Sequence, residues 1–394
     1  MTAIGVGIIG WGFTAKVHTM ALRALPVIFP DLPFDVSLAA VATRDPGKNG
    51  PAIRRAGFAR VYNDVAALIA DGNVQGVDIC TPNGLHLSPA TAAWAAGKAV
   101  YCEKPLAATL ADAEAMAAAW RAAGLEAGRP AGAGRPAGVG PLPAASQVAL
   151  MLRFLPAVAR AKDWIAAGRI GRVLSFRARM VHGGYLDPNR AYSWRLNWEM
   201  GGGAMADLGI HLIDTVQFLL GPVADLTARS RTFVTERPSP VPGEPKVPVR
   251  VDDWTEIACE LDSGAVGTIE ATRAGDGQEE TVFEIFGTDG SLKITAASPL
   301  FPQCFDRKRG DLVVRGGDPE PGPFTKAALT VYPPAKLTLG THVDAHLAAL
   351  HWWLRRMADP AWEIAMPPLV ASIEDGRSAQ SVLERAYIAS GIKG

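Results

Sequence analysis

The chain has 394 residues, 48% hydrophobic and 20% charged, which supplies apolar surface for a packed core and leaves no compositional basis for disorder. Thirty-nine basic residues balance thirty-nine acidic ones and no segment concentrates Lys and Arg, which argues against nucleic acid and anionic membrane surfaces as partners. At ~100–200 residues per domain, this length predicts two domains.

Residues 1–10 are apolar but have no basic leader or small-residue cleavage site, and they are too short to cross a bilayer. A cytoplasmic protein is expected. Continuous apolar runs at 4–9, 36–42 and 76–80 read as parallel strands buried on both faces, separated by helix-forming segments at 15–25, 65–70 and 89–96. With right-handed crossovers, this repeat predicts a doubly wound sheet. An Ala-rich helix follows at 110–123. Ten of the twenty residues 124–143 are Gly or Pro, which predicts a flexible surface insertion there. Residues 147–152 resemble one more buried strand, and 154–167 a helix ending at Gly168.

From Val173 the apolar residues alternate, predicting strands at 173–179, 255–261, 265–272, 281–287 and 291–295. Asp262-Ser263-Gly264 and Asp289-Gly290 are hairpin links that make this sheet mainly antiparallel. A helix is expected over 204–220, an extended loop over the proline-rich 238–248, and closing helices at 341–357 and 368–390. The predicted fold is α/β: a doubly wound Rossmann domain over 1–152 carrying the 124–143 insertion, then an α+β domain over 153–394 with an open sheet.

Gly10-Trp11-Gly12-Phe13-Thr14-Ala15 follows the first strand and opens the first helix, the context a dinucleotide fingerprint requires. Gly10 permits the tight turn, Gly12 lets backbone approach a pyrophosphate, and Ala15 allows close helix packing while helix amides face the anion. The second strand usually ends in an acid that accepts from the NAD ribose. This chain has Thr43-Arg44-Asp45 instead, and a guanidinium pairs well with a 2′-phosphate, so NADP is favoured over NAD.

Asp207 and His211 are four residues apart and share one helix face. Histidine titrates near neutral pH, so His211 is the candidate base for a hydroxyl proton, with Asp207 orienting it or holding a neighbouring hydroxyl. Cys80, Cys102, Cys259 and Cys304 form no C-x-x-C pair, and His342, His346 and His351 sit among Leu347, Leu350 and Trp353 as on a packed helix face. No disulfide framework and no metal site are expected.

Thr81-Pro82-Asn83 with His86, Glu103-Lys104-Pro105, and the run from Gly201-Gly202-Gly203 through Asp207 to His211 together resemble the glucose-fructose oxidoreductase and inositol dehydrogenase (Gfo/Idh/MocA) family. Residues 170–177, Asp187-Pro188-Asn189, Ser193-Trp194-Arg195 and His211-Leu212-Ile213-Asp214 are most similar to its levoglucosan dehydrogenase-like members. The resemblance implies hydride transfer between a nicotinamide nucleotide and a secondary alcohol of a sugar, anhydrosugar or inositol. It assigns the nucleotide to Gly10, Gly12, Phe13, Thr14, Thr43, Arg44, Thr81, Pro82, Asn83, His86, Glu103, Lys104, Trp194 and Arg195. Substrate falls to Lys104, Arg153, Tyr185, Asp207 and His211, with Lys104 stabilising alkoxide charge. For Trp194 and Arg195, packing in the core is an alternative. The family's open sheet implies a homodimer or homotetramer. The 124–143 insertion and Thr43-Arg44 depart from the family pattern. Two other functions share the fold: a redox glycosidase that retains its nucleotide and works through a 3-keto sugar, and a nucleotide-sensing regulator without activity.

Overall fold

The structure, a computed structural model, describes residues 2–123, 145–313, 320–359, 361–362 and 367–392; the predicted 124–143 insertion lies outside them. The chain folds into two compact units. The first comprises Met1–Ala107, Ala111–Phe154 and Leu329–Arg377. In chain order it holds β1 (Thr2–Ile9), α1 (Phe13–Ile28), β2 (Phe34–Ala42), α2 (Pro46–Arg55), β3 (Arg60–Tyr62) and α3 (Val65–Ala70). Next come β4 (Gly76–Ile79), α4 (Leu87–Ala95), β5 (Ala99–Cys102), α5 (Leu110–Ala122) and β6 (Gln147–Val148). Its six strands are all parallel in the order β3-β2-β1-β4-β5-β6. The order reverses between β1 and β4, and ligands of such sheets gather at the carboxyl ends of the strands flanking that point.

The predicted strand at 147–152 is shorter than expected. Val148 pairs with Cys102, the last residue of β5, so the chain has no neighbouring strand to follow and turns into a 3₁₀ segment at Met151–Phe154.

The second unit, Ala108–Leu110, Leu155–Ala328 and Ser378–Gly394, carries α6 (Pro156–Ala166), β7 (Val173–Val181), α7 (Ile210–Leu220) and β8 (Val223–Arg231). β9 (Glu236–Arg237) and β10 (Val247–Pro248) then pair antiparallel, so the proline-rich loop is closed at its base. β11 (Trp254–Leu261), β12 (Val266–Thr272), β13 (Glu280–Gly287), β14 (Gly290–Thr295), β15 (Gln303–Asp306) and β16 (Asp311–Val313) complete an eight-stranded sheet, β16-β15-β14-β13-β7-β12-β11-β8. Every neighbouring pair is antiparallel except β12 with β7. The expected hairpins at 262–264 and 289–290 are the β11–β12 and β13–β14 links.

The C-terminal helices α8 (Pro323–Val331), α9 (Thr341–Ala358) and α10 (Ile373–Ser390) correct the expected domain limits. A second domain running unbroken from 153 to 394 is not what forms, because Leu329–Arg377 returns to the first unit. The cause is α9: residues Ala345 to Leu354 are buried on every side, which a helix on a surface cannot sustain. Its Trp353 packs where a Cβ on Gly76 of β4 would come within 2.7 Å of the indole ring. No helix among the described residues is long and apolar enough to cross a membrane.

Candidate functional site

At the carboxyl end of β1 the chain turns on Gly10, whose φ is +97° and whose Cβ, were there one, would lie 2.8 Å from the Cys80 carbonyl. Only glycine makes that turn against β4. A Cβ on Gly12 would meet nothing within 4 Å, so this side of the turn is open. The 16-residue α1 begins with no side-chain cap and no acid in its first turn, and its leading amides are available to an anion. Phe13 is exposed, Thr14 half-buried and Ala15 fully buried. Beside them, the hydroxyl of Thr81 is buried without a hydrogen-bond partner among the described residues.

At the end of β2 the Thr43 side chain turns inward, and its Oγ1 accepts from Asn49 Nδ2 at 2.9 Å. Arg44 and Lys48 are exposed. Asp45 is the N-cap of α2, with Oδ1 accepting from the Lys48 amide at 2.8 Å, so its carboxylate is engaged by the helix.

After β4, Pro82 is half-buried and Asn83 buried. The structure places His86 inside, with Nε2 3.0 Å from the Thr81 carbonyl and Nδ1 3.2 Å from that of Leu106. Burial holds its pKa down against those two carbonyls. Its imidazole packs between the segments that follow β4 and β5, with one N–H to give to either carbonyl. Lys104 is half-buried, and the Lys104–Pro105 peptide is cis.

Glu103 is buried in a polar cluster that sequence reasoning did not assemble. His18 on α1 sets Nδ1 2.8 Å from Asp78 Oδ2 and Nε2 3.3 Å from Glu103 Oε1, while His346 Nδ1 on α9 lies 3.0 Å from the same Nε2. All four are buried. Burial works against a charge on His18, yet Asp78 and then Glu103 raise its pKa to about 10. Burial likewise pushes Glu103 up, but His18, then His346 and Lys104, bring it down to about 2. The available signals were local: an acid inside the buried strand β4, and a histidine on the apolar face of α1.

In the second unit, Asp207 lies on a π-turn, Met205–Gly209, that runs directly into α7, where His211 is buried in the first turn. Asp252 holds this start: Oδ2 accepts from the Met205 amide at 2.8 Å and Oδ1 from the Tyr387 hydroxyl at 3.0 Å. That hydroxyl accepts in turn from the Ala206 amide at 3.1 Å. Gly203, with φ +126°, is required here because a Cβ would sit 2.3 Å from Asp252 Oδ1. Gly209 leaves space for the Met205 thioether, which would lie 1.9 Å from a Cβ. The predicted single α-helix over 204–220 is therefore widened where Asp207 sits.

Asp207 is paired with Arg195, whose Nε donates to Oδ2 at 3.2 Å and whose guanidinium lies 4.5 Å over the Trp194 ring. Arg273, buried in an ion pair with Asp253 at 3.1 Å, donates from Nη1 to the Arg195 carbonyl at 3.1 Å and stacks 4.4 Å over Tyr185. Tyr185, Trp194, Arg195 and Asp207 thus share one anchor, and Asp252, Asp253, Arg273 and Tyr387 were missed by sequence reasoning. Arg153 is elsewhere, in the first unit, donating to Asp375 Oδ1 at 3.1 Å and to the Val370 carbonyl at 3.3 Å. Those bonds fasten the returning Leu329–Arg377 segment.

Residues 4–127 match the oxidoreductase family with an NAD-binding Rossmann fold, and residues 158–293 match the GFO/IDH/MocA C-terminal domain. The chain belongs to the GFO/IDH/MocA oxidoreductase family. It is 36% identical over 305 residues to levoglucosan dehydrogenase of Pseudarthrobacter phenanthrenivorans, covering 74% of this chain and 73% of that one. It is 33% identical over 241 residues to 1,5-anhydro-D-fructose reductase of Ensifer adhaerens, covering 60% and 61%. Among solved structures, levoglucosan dehydrogenase in complex with NADH and L-sorbose matches with a TM-score of 0.82 at 30% identity, covering 99% of this chain and 97% of that one. The dinucleotide that this family binds fits the β1–α1 edge, with its open glycine, uncapped helix start and buried Thr81 hydroxyl awaiting a partner.

Proposed function

We propose that this family member oxidises a secondary alcohol of a sugar, anhydrosugar or inositol, or reduces the matching ketone, with NADP preferred to NAD. The observation that carries the reading is that Asp207 and His211 occupy one continuous helical segment anchored by Asp252, a rigid support that a mere sensor of nucleotide does not need. The names of the two relatives above support a carbohydrate substrate. When bound, the nucleotide supplies the acceptor for hydride.

In this reading His211 takes the hydroxyl proton, and Lys104 donates a hydrogen bond to the reacting oxygen, where alkoxide charge develops. Asp207, set by Arg195, accepts from a neighbouring hydroxyl, and Tyr185 adds an apolar face for the ring. Gly10, Gly12, Phe13, Thr14, Thr81 and Asn83 hold the nucleotide. His86 and Arg153 act as braces. The open face of the second unit's sheet exposes Val266 and Phe286 beside Ala258 and Thr268, a surface suited to a homodimer or homotetramer. Four free cysteines suit the cytoplasm.

For the cofactor, Arg44 and Lys48 are exposed at the end of β2, and Asp45 is occupied as a cap. The attraction for a 2′-phosphate is present, and the acid that would repel it is engaged elsewhere. Titrating both nucleotides should show NADP binding ~10-fold or more tightly, the value of one charge-assisted hydrogen bond. Thr43→Glu with Arg44→Ala should reverse the order. Tighter NAD binding by the unmodified protein contradicts the assignment and gives Arg44 to adenine or solvent.

A further inference from the structure

Three arginines of the second unit gather around one tyrosine, and their hydrogen bonds do not close. The Arg190 guanidinium lies 3.9 Å from the centre of the Tyr185 ring and that of Arg273 4.4 Å from it, while Arg237 donates from Nη2 to the Tyr185 carbonyl and from Nη1 to that of Asp187. Arg237 and Arg273 are buried, Tyr185 is half-buried and Arg190 is exposed. Among the described residues, the one carboxylate in ion-pair contact with this group is Asp253, on Arg273. Both of its oxygens are engaged: Oδ1 accepts from Arg273 Nε at 3.1 Å, and Oδ2 accepts from the amides of Phe233 and Val234 at 2.8 and 3.2 Å. Asp187 gives Oδ1 to the Asn189 amide at 2.9 Å. Arg237 is therefore a buried cation held by main-chain carbonyls alone.

Two buried donors are left over, since Arg237 Nε and Arg273 Nη2 have no hydrogen-bond partner among the described residues. An unmet N–H on a buried cation costs more than one on a neutral group, and each calls for an acceptor. Water supplies an acceptor but leaves three guanidinium charges facing one carboxylate. An oxyanion supplies both the acceptor oxygens and the missing negative charge, which is the pairing that guanidinium geometry suits best. Burial already holds the pKa of Arg237 below the usual guanidinium range; Asp253 opposes this, and the like charges of Arg273 and Arg190 add to it. The cluster also borders the candidate site, because Arg273 Nη1 donates to the carbonyl of Arg195, whose own Nε donates to Asp207.

We infer that Arg190, Arg237 and Arg273 form an oxyanion site at Tyr185, entered past the exposed Arg190, which takes either the carboxylate of an acidic sugar or a free inorganic oxyanion. The test is nitrogen NMR of the full chain with labelled arginine, titrated with sulfate at constant ionic strength against chloride. Saturating nucleotide is present throughout, so that sulfate does not report on the β1–α1 turn. The Arg237 Nε and Arg273 Nη2 signals should move saturably with sulfate and stay fixed with chloride; signals that do not move, or that move equally with chloride, overturn the proposal. Arg190→Ala, at an exposed position, should weaken sulfate ~10-fold or more, the value of one charge-assisted hydrogen bond. Unchanged affinity in that variant overturns the three-arginine site. D-Glucuronate and D-glucose then distinguish the sources, an arm that rests on the proposed binding of sugar beside Asp207. A sugar-borne carboxylate requires D-glucuronate, and not D-glucose, to move the same signals and to compete with sulfate; a free oxyanion leaves sulfate binding unaffected by either sugar. The sulfate titration needs neither sugar nor turnover, so failure of the dehydrogenase reading and failure of the oxyanion site are separately visible.

Discussion

His211→Ala should lower kcat for alcohol oxidation by ~100-fold or more while nucleotide affinity stays nearly unchanged. The residue is buried in the first turn of α7, and its carbonyl accepts from Thr215 Oγ1 at 2.8 Å, so the backbone that carries it is part of a continuous helix. Truncation removes the imidazole without disturbing those main-chain bonds. In the unmodified enzyme oxidation should slow toward acid pH if His211 is the base, because an imidazole already protonated cannot accept the hydroxyl proton. The variant should lose that limb. Steady-state kinetics across pH, with nucleotide binding measured separately, checks both parts; near-wild-type turnover removes His211 from the mechanism.

Lys104→Ala should cost ~2–4 kcal/mol of transition-state stabilisation, a loss of ~30–1000-fold in kcat. Lys104 is half-buried and follows β5 directly, where the parallel sheet presents its carboxyl ends. Its ammonium is the group expected to meet developing alkoxide charge. The melting temperature should change little, since the bond from the Lys104 amide to Glu103 Oε2, 3.2 Å long, is made by the main chain and survives the substitution. A collapse of stability together with activity would make Lys104 a structural residue.

The parts of this molecule that were legible in the sequence are those whose physics is local. A short apolar run closing on Gly10 gives β1 and its turn, and Asp289-Gly290 gives the β13–β14 hairpin, because neighbouring residues alone set those conformations. That Asp207 and His211 lie on one helical segment was readable from their spacing. The π-turn beneath them was not, since it depends on the Asp252 carboxylate and the Tyr387 hydroxyl, which come from distant segments. Helix α9 was found as a helix, but nothing in its apolar pattern says which unit it joins; that is decided where Trp353 meets Gly76. His346 was read as a packing residue and is buried, yet its neighbour His18 lies 328 positions away in sequence. Arg153, assigned to substrate by the family resemblance, donates to Asp375, a partner 222 positions away that no local pattern announces.

One measurement bears most directly on the central claim: reduced nucleotide counted against ketone formed, for a panel of sugars, anhydrosugars and inositols supplied with NADP. The account predicts that at least one member of the panel yields the two products in equal amounts and continuously, as a dehydrogenase must. Turnover of a glycoside with no reduced nucleotide accumulating, or nucleotide binding with no turnover of any panel member, would contradict it.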